Sequence, residues 1–243
     1  MTIFLTILAA LAAGLIKTTF GIGAGVFLTP LMSLIMSPKT AVALLAPMML
    51  ISSIITLCMH WKKWDLRYIK ILLPSLLVGI VLGSYYLAWA SPALTKVTIG
   101  VIAMLFSSYQ IIRLKNPKLF AGIEMNNLAG VIISFFAGIS SAIAHSGGII
   151  ITIYLVTKNL SKSTFVATLV GLLFFSDILK MITYTKLGLL SQPLLVHGIA
   201  LTPALFIGSW LGSKLIKKLS ESQFILYVNI LIFISGIILI ASR

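Results

Sequence analysis

Polar side chains are scarce in this 243-residue chain, so those inside its apolar runs are the first candidates for chemistry. Two short clusters stand out. Near the start, Lys17, Thr18 and Thr19 precede Gly21-Ile-Gly-Ala-Gly25; past the middle, Ala144 is followed by His145, Ser146, Gly147 and Gly148. The glycines leave backbone N–H groups open to close approach, and an apolar segment able to form a helix follows each cluster. A helix start presents unpaired N–H donors and the positive end of the helix dipole, a setting suited to a small anion. Lys17 adds positive charge, which is expensive in lipid unless it faces a cavity or a partner. Thr18, Thr19 and Ser146 add hydroxyl donors. The imidazole of His145, with an ordinary pKa of about 6.5, suits it to accept a proton or to donate a neutral hydrogen bond. The expected substrate-binding set is therefore Lys17, Thr18, Thr19, Gly21, Gly23, Gly25, His145, Ser146, Gly147 and Gly148.

The bland alternative is that Gly21-x-x-x-Gly25 is a small-xxx-small packing motif of membrane helices. Two clusters at matching places, each leading into a short apolar segment, favour binding over packing. Asp177 is the one carboxylate well inside an apolar segment, and Lys180 three residues on shares its helix face. The two form a structural pair, or Asp177 joins His145 as a proton-coupling candidate. Asp65, with Trp61 and Trp64 in a basic loop, is expected at the membrane interface. His197 has no nameable partner. No CxxC or HExxH pattern occurs, so neither a metal nor a cofactor is expected, and the single Cys58 precludes an intramolecular disulfide.

Composition says where these groups must sit. The chain is 60% hydrophobic and 9% charged, with a mean hydropathy of +1.15, against about 25% charged residues in a soluble domain. It is too apolar to cover a water-facing surface and reads as an integral membrane protein. A net charge of +14 raises a nucleic-acid reading, but Lys and Arg gather in cytoplasmic loops for topological reasons and no nucleic-acid motif is present. The expected partners are a small anion and the lipid bilayer, with no nucleic acid. Glycine-spaced faces also permit a homo-oligomer. The stretch Ile3–Ile16 lacks a basic leader and runs into the glycine cluster, so it is expected to belong to the mature structure rather than to a signal peptide.

Apolar segments lie at about 2–16, 22–36, 41–59, 69–90 and 93–112, then at about 128–143, 148–157, 163–182, 192–213 and 222–241. Two sets of five suggest a duplicated unit: residues 1–112, a cytoplasmic linker 113–127, and residues 128–243. Gly25 aligns with Gly148, Thr29 with Thr152, Lys39 with Lys162 and Ser53 with Ser176; each half then carries P-x4-G-x3-G-S, at Pro74–Ser84 and Pro203–Ser213. A duplicated unit with a glycine-broken segment in each half is a transporter pattern. The fold expected is all-α and polytopic, with 8–10 membrane segments in two inverted repeats. Each repeat would be a glycine-tipped hairpin of short helices plus three transmembrane helices. The hairpin reading also sorts the loops by charge. It puts twelve basic residues on one side, around 62–70, 113–118, 158–162 and 214–218, and Lys39, Lys96, Lys186 and Arg243 on the other. The positive-inside rule then places both termini outside the cytoplasm.

With these motifs in their order, the chain resembles the TauE/SafE (sulfite exporter) family over essentially its whole length. The carrying features are the glycine motif at Gly21, Gly23 and Gly25, its repeat at Gly147 and Gly148, and P-x4-G-x3-G-S after a basic Trp-Asp loop. The resemblance implies a bacterial inner-membrane transporter of small sulfur-containing anions: sulfite, a sulfonate or a related organic acid. Ala24 stands where the first motif would have a glycine, and His145-Ser146 depart from the second. The first change is small. The second adds polarity where the anion is expected and bears on which anion is bound. Rival readings are an anion channel using the same site and a membrane-embedded enzyme; few acids, no metal cluster and no Ser/His/Asp spacing weigh against the enzyme.

Overall fold

The computed structural model describes residues 7, 8, 10, 11, 24–116, 124–215 and 221–242. Its regular elements are all helices: α1 (Ala24–Ile35), α2 (Pro38–Met59), α3 (Leu66–Trp89), α4 (Pro92–Lys115), α5 (Asn127–Ala144), α6 (Gly147–Leu155), α7 (Lys162–Lys186), α8 (Gln192–Leu215) and α9 (Glu221–Ala241). A 3₁₀ turn at Val156–Lys158 closes α6.

The polar breaks between apolar segments act as helix caps. Ser37, Asp65, Ser91, Asn126 and Ser161 each accept a backbone N–H in the first turn of the helix that follows, and Pro38 and Pro92 occupy first-turn positions that need no donor. Asp65, expected as an interfacial residue, thus also starts α3, and its own N–H reaches Thr168 Oγ1 of α7 at 2.9 Å. Trp61 and Trp64 beside it meet edge to face at 5.3 Å.

Helix length separates two kinds of segment. α2, α3, α4, α5 and α7 have 18 to 25 residues, about 27 to 37 Å at 1.5 Å per residue, enough for a hydrocarbon core of roughly 30 Å. α1 has 12 residues and α6 has 9, about 18 and 13 Å, too short to cross. The short helices after each glycine cluster are therefore present. α5, before the second cluster, is longer than apolar counting suggested, because its capped first turn begins at polar Asn127.

Glycines set how closely the helices cross. A Cβ on Gly79 would stand 2.1 Å from the Phe135 carbonyl oxygen, and one on Gly138 would stand 2.2 Å from that of Leu76, so α3 and α5 touch backbone to backbone. Ser134 Oγ crosses the same seam to Leu72 O at 2.8 Å. Gly208 of α8 lies equally close to Leu11, with its missing Cβ 2.0 Å from the carbonyl oxygen. Each P-x4-G helix thus lays its glycine against the segment that precedes the glycine cluster of the other half. Such contact supplies packing where lipid gives helices no hydrophobic reason to associate.

Aligned positions also make the same local bonds. Thr29 donates to Gly25 O at 2.7 Å and Thr152 to Gly148 O at 2.8 Å. One place out of that register, Ser37 pairs with Thr40 in the first half and Ser161 with Thr164 in the second. α2 packs against α7 in the interior, while Leu105, Leu128, Phe136 and Val78 are more than half exposed on the outer faces. An apolar exterior around a partly polar interior is what a bilayer requires.

Candidate functional site

The site is built around a two-residue break. α5 ends at Ala144, and His145 turns the chain in the left-handed region (φ 51°, ψ 29°) while its N–H closes the helix on Ser141 O at 3.0 Å. A non-glycine residue in that region is strained and calls for support from its surroundings. Ser146 follows, and α6 starts at Gly147. Carbonyls in the last turn of α5 are met by side chains: Ser146 Oγ donates to Ser140 O at 3.1 Å, Tyr184 OH to Ala142 O, and Thr29 Oγ1 to Ala144 O at 3.1 Å. Ser140 and Ser146 also share a hydroxyl–hydroxyl contact, and Ser141 lies 3.2 Å from Ser176.

Glycine is required on both sides of the break. Gly147 sits so close to α5 that a Cβ would be 2.6 Å from Ala137 O, and a Cβ on Gly25 would be 2.2 Å from that of His145. The end of the first motif therefore abuts the second, deep in the protein.

From His145 a polar chain runs through the interior. Its Nε2 lies 2.9 Å from Val42 O and its Nδ1 lies 3.0 Å from Lys180 Nζ. A carbonyl can only accept and an ammonium can only donate, so the ring carries its proton on Nε2 and is neutral. Lys180 pairs with Asp177 Oδ1 at 2.8 Å, and Asp177 Oδ2 accepts from Ser53 Oγ at 2.6 Å. His145, Lys180, Asp177 and Ser53 are all less than a tenth exposed. Val42 and Ser53 are eleven residues apart on α2, so the chain follows that helix for about 16 Å, half the hydrocarbon thickness.

Of the residues expected to bind substrate, Gly25, His145, Ser146, Gly147 and Gly148 gather at this break, and Asp177 joins His145 through Lys180. Lys17, Thr18, Thr19, Gly21 and Gly23 lie outside the described residues. His197 falls on α8. Sequence reasoning weighed Lys180 only as the partner of Asp177 and missed its bond to His145. It also missed Ser53, Ser140, Ser141 and Ser176 as polar members. The alignment of Ser53 with Ser176 was the available signal, since a hydroxyl repeated at equal depth in two apolar helices needs a partner. Among the described residues no group of three or more His, Cys, Asp or Glu is placed to hold a metal.

A multi-pass helical protein with a broken helix and an ionised chain buried at its centre falls in the class of membrane transporters. The chain matches the family Sulfite exporter TauE/SafE over residues 6–239 and belongs to it. That makes it a membrane transporter of the sulfite-exporter kind. No curated protein and no solved structure gives a detectable match.

Proposed function

We propose that this protein carries a small sulfur-containing anion (sulfite, a sulfonate or a related organic acid) across a bacterial inner membrane by alternating access. The observation that carries the reading is the contact of Gly25 with His145 beside the start of α6, with the Lys180 ammonium bonded to the same His145 in the interior. Lys17, Thr18 and Thr19, outside the described residues, belong to the same proposed binding set. The two halves form inverted repeats, a reading supported by the recurring local bonds and by the glycine helices crossed between halves. One repeat rocks against the other around the break, with both termini on the non-cytoplasmic side, and proton coupling runs through His145 or Asp177.

The test is flux of sulfite or a sulfonate in proteoliposomes. Lys17→Ala and Ser146→Ala each reduce it at least tenfold, with the protein still folded. Flux that saturates and shows counterflow marks a carrier; flux that does neither marks a channel. Unchanged flux in both variants sinks the anion site.

A further inference from the structure

The polar chain decides which group takes the proton and what the proton does. Resting on the anion-transport reading, we propose that Lys180 is a shared cation. The Asp177 carboxylate holds its ammonium in the empty protein, and protonation of Asp177 releases it to the anion at the α5–α6 break. One proton is thereby taken up with each monovalent anion.

The charges of Lys180, Asp177 and neutral His145 sum to zero. Of the chain's four carboxylates Asp177 alone lies well inside a helix; Asp65 and Glu124 lie between helices, and Glu221 is the first residue of α9. A proton entering this group raises its charge to +1, and a buried charge without a counter-ion is strongly disfavoured. An anion arriving alone meets an ammonium already neutralised. Proton and anion together restore the balance, so each favours the other, and the coupling is reciprocal.

The proton goes to Asp177 rather than His145. A proton on His145 Nδ1 would displace the Lys180 N–H bond and leave two cations 3.0 Å apart. Asp177 Oδ2 already faces the Ser53 hydroxyl, which donates to a carboxylate and, by rotating, accepts from a carboxylic acid. The incoming proton, given up by hydronium from the solvent, bonds to Oδ2; no covalent bond of the protein breaks, and the attraction holding Lys180 to Oδ1 is lost. His145, still neutral and fixed by Val42 O, keeps the released ammonium turned toward the break. His145 is thus a positioning residue.

Among the described residues the surroundings contain no second candidate. Lys180 and Tyr184 on its own helix, Ser53 from α2 and His145 from the break face Asp177, and the Tyr184 hydroxyl is engaged by Ala142 O. On α3, Arg67 and Lys70 lie near the level of Thr168, where Asp65 bonds α7, nine residues and about 13 Å from Asp177. Tyr154 of α6 meets Tyr68 edge to face at that same end. At the other side of Asp177, Ser84 of α3 meets Thr183, and Tyr86 beyond it is bonded to Thr98.

The test measures methanesulfonate binding to the purified protein in detergent from pH 5 to 8, a range in which the ligand's own charge is constant. Proton uptake is followed in weak buffer. For the wild type, affinity falls as pH rises, by up to about tenfold per pH unit, with one proton taken up per anion. Asp177→Asn binds with a flat profile and takes up no proton. Lys180→Met loses at least tenfold in affinity throughout. Ser53→Ala, the mildest change, keeps the slope but displaces the profile to higher pH, and it decides the matter should Asp177→Asn fail to fold. A wild-type profile that is flat while binding persists, or a slope that survives in Asp177→Asn, overturns the shared cation and leaves anion transport standing. Absence of binding by methanesulfonate and sulfite alike overturns both.

Discussion

Removing either charge of the Lys180–Asp177 pair should damage the protein far more than removing both. At an effective dielectric of about 20, unit charges 2.8 Å apart attract by roughly 6 kcal/mol. Burying the two ions, 2% and 4% exposed, costs several kcal/mol each, so the pair as a whole contributes little net stability. Lys180→Met leaves a buried carboxylate, and Asp177→Asn leaves a buried ammonium. Each single change is expected to cost about 3–5 kcal/mol, or roughly 6–20 °C in apparent Tm for a chain of this size. In the double variant the introduced amide oxygen still accepts from Ser53, and the losses are the donor to His145 Nδ1 and a partner for the new amide N–H2, about 1–3 kcal/mol. The double should therefore melt above either single variant. Thermal unfolding in detergent, followed by the fluorescence of the four tryptophans, gives the comparison. A double variant destabilised by the sum of the two singles would refute the reasoning, because the charges would then not be compensating one another.

Gly25→Val should push the His145 turn aside, since even a Cβ at that position would stand 2.2 Å from the His145 Cβ. The cost is about 1–3 kcal/mol of overpacking, together with a loss of anion uptake of tenfold or more; wild-type uptake would show that the contact is irrelevant to transport. Membrane orientation is checked in a Cys58→Ser background with single cysteines at Lys62 and Ser242. An impermeant maleimide added to intact cells should label position 242 and spare 62, and the reverse pattern would invert the topology.

Much of the helical layout was legible along the chain, because each boundary is a local event. Ser37, Asp65, Ser91, Asn126 and Ser161 interrupt apolar runs, and each caps a helix through atoms only two or three residues away. The short α1 and α6 were readable from apolar run length after the glycines. The site was legible in part. The break at His145-Ser146-Gly147 follows from residue types in one stretch, but its connection to Lys180 spans 35 residues and its bond to Val42 spans 103. Sequence spacing carries no such information.

Composition and spacing alone put the protein in lipid and set one carboxylate and one ammonium on a shared helix face. These follow from composition and from the 3.6-residue period, both local properties. Only the tertiary structure decided that Gly25 rests on His145, that the imidazole is a neutral Nε2–H donor to Val42, and that Ser53 meets Asp177 across 124 residues. The physical reason is that a buried polar group must find a partner wherever packing brings one within about 3 Å. Packing here is set by backbones approaching at Gly79, Gly138 and Gly208, a property of the whole bundle rather than of any one segment.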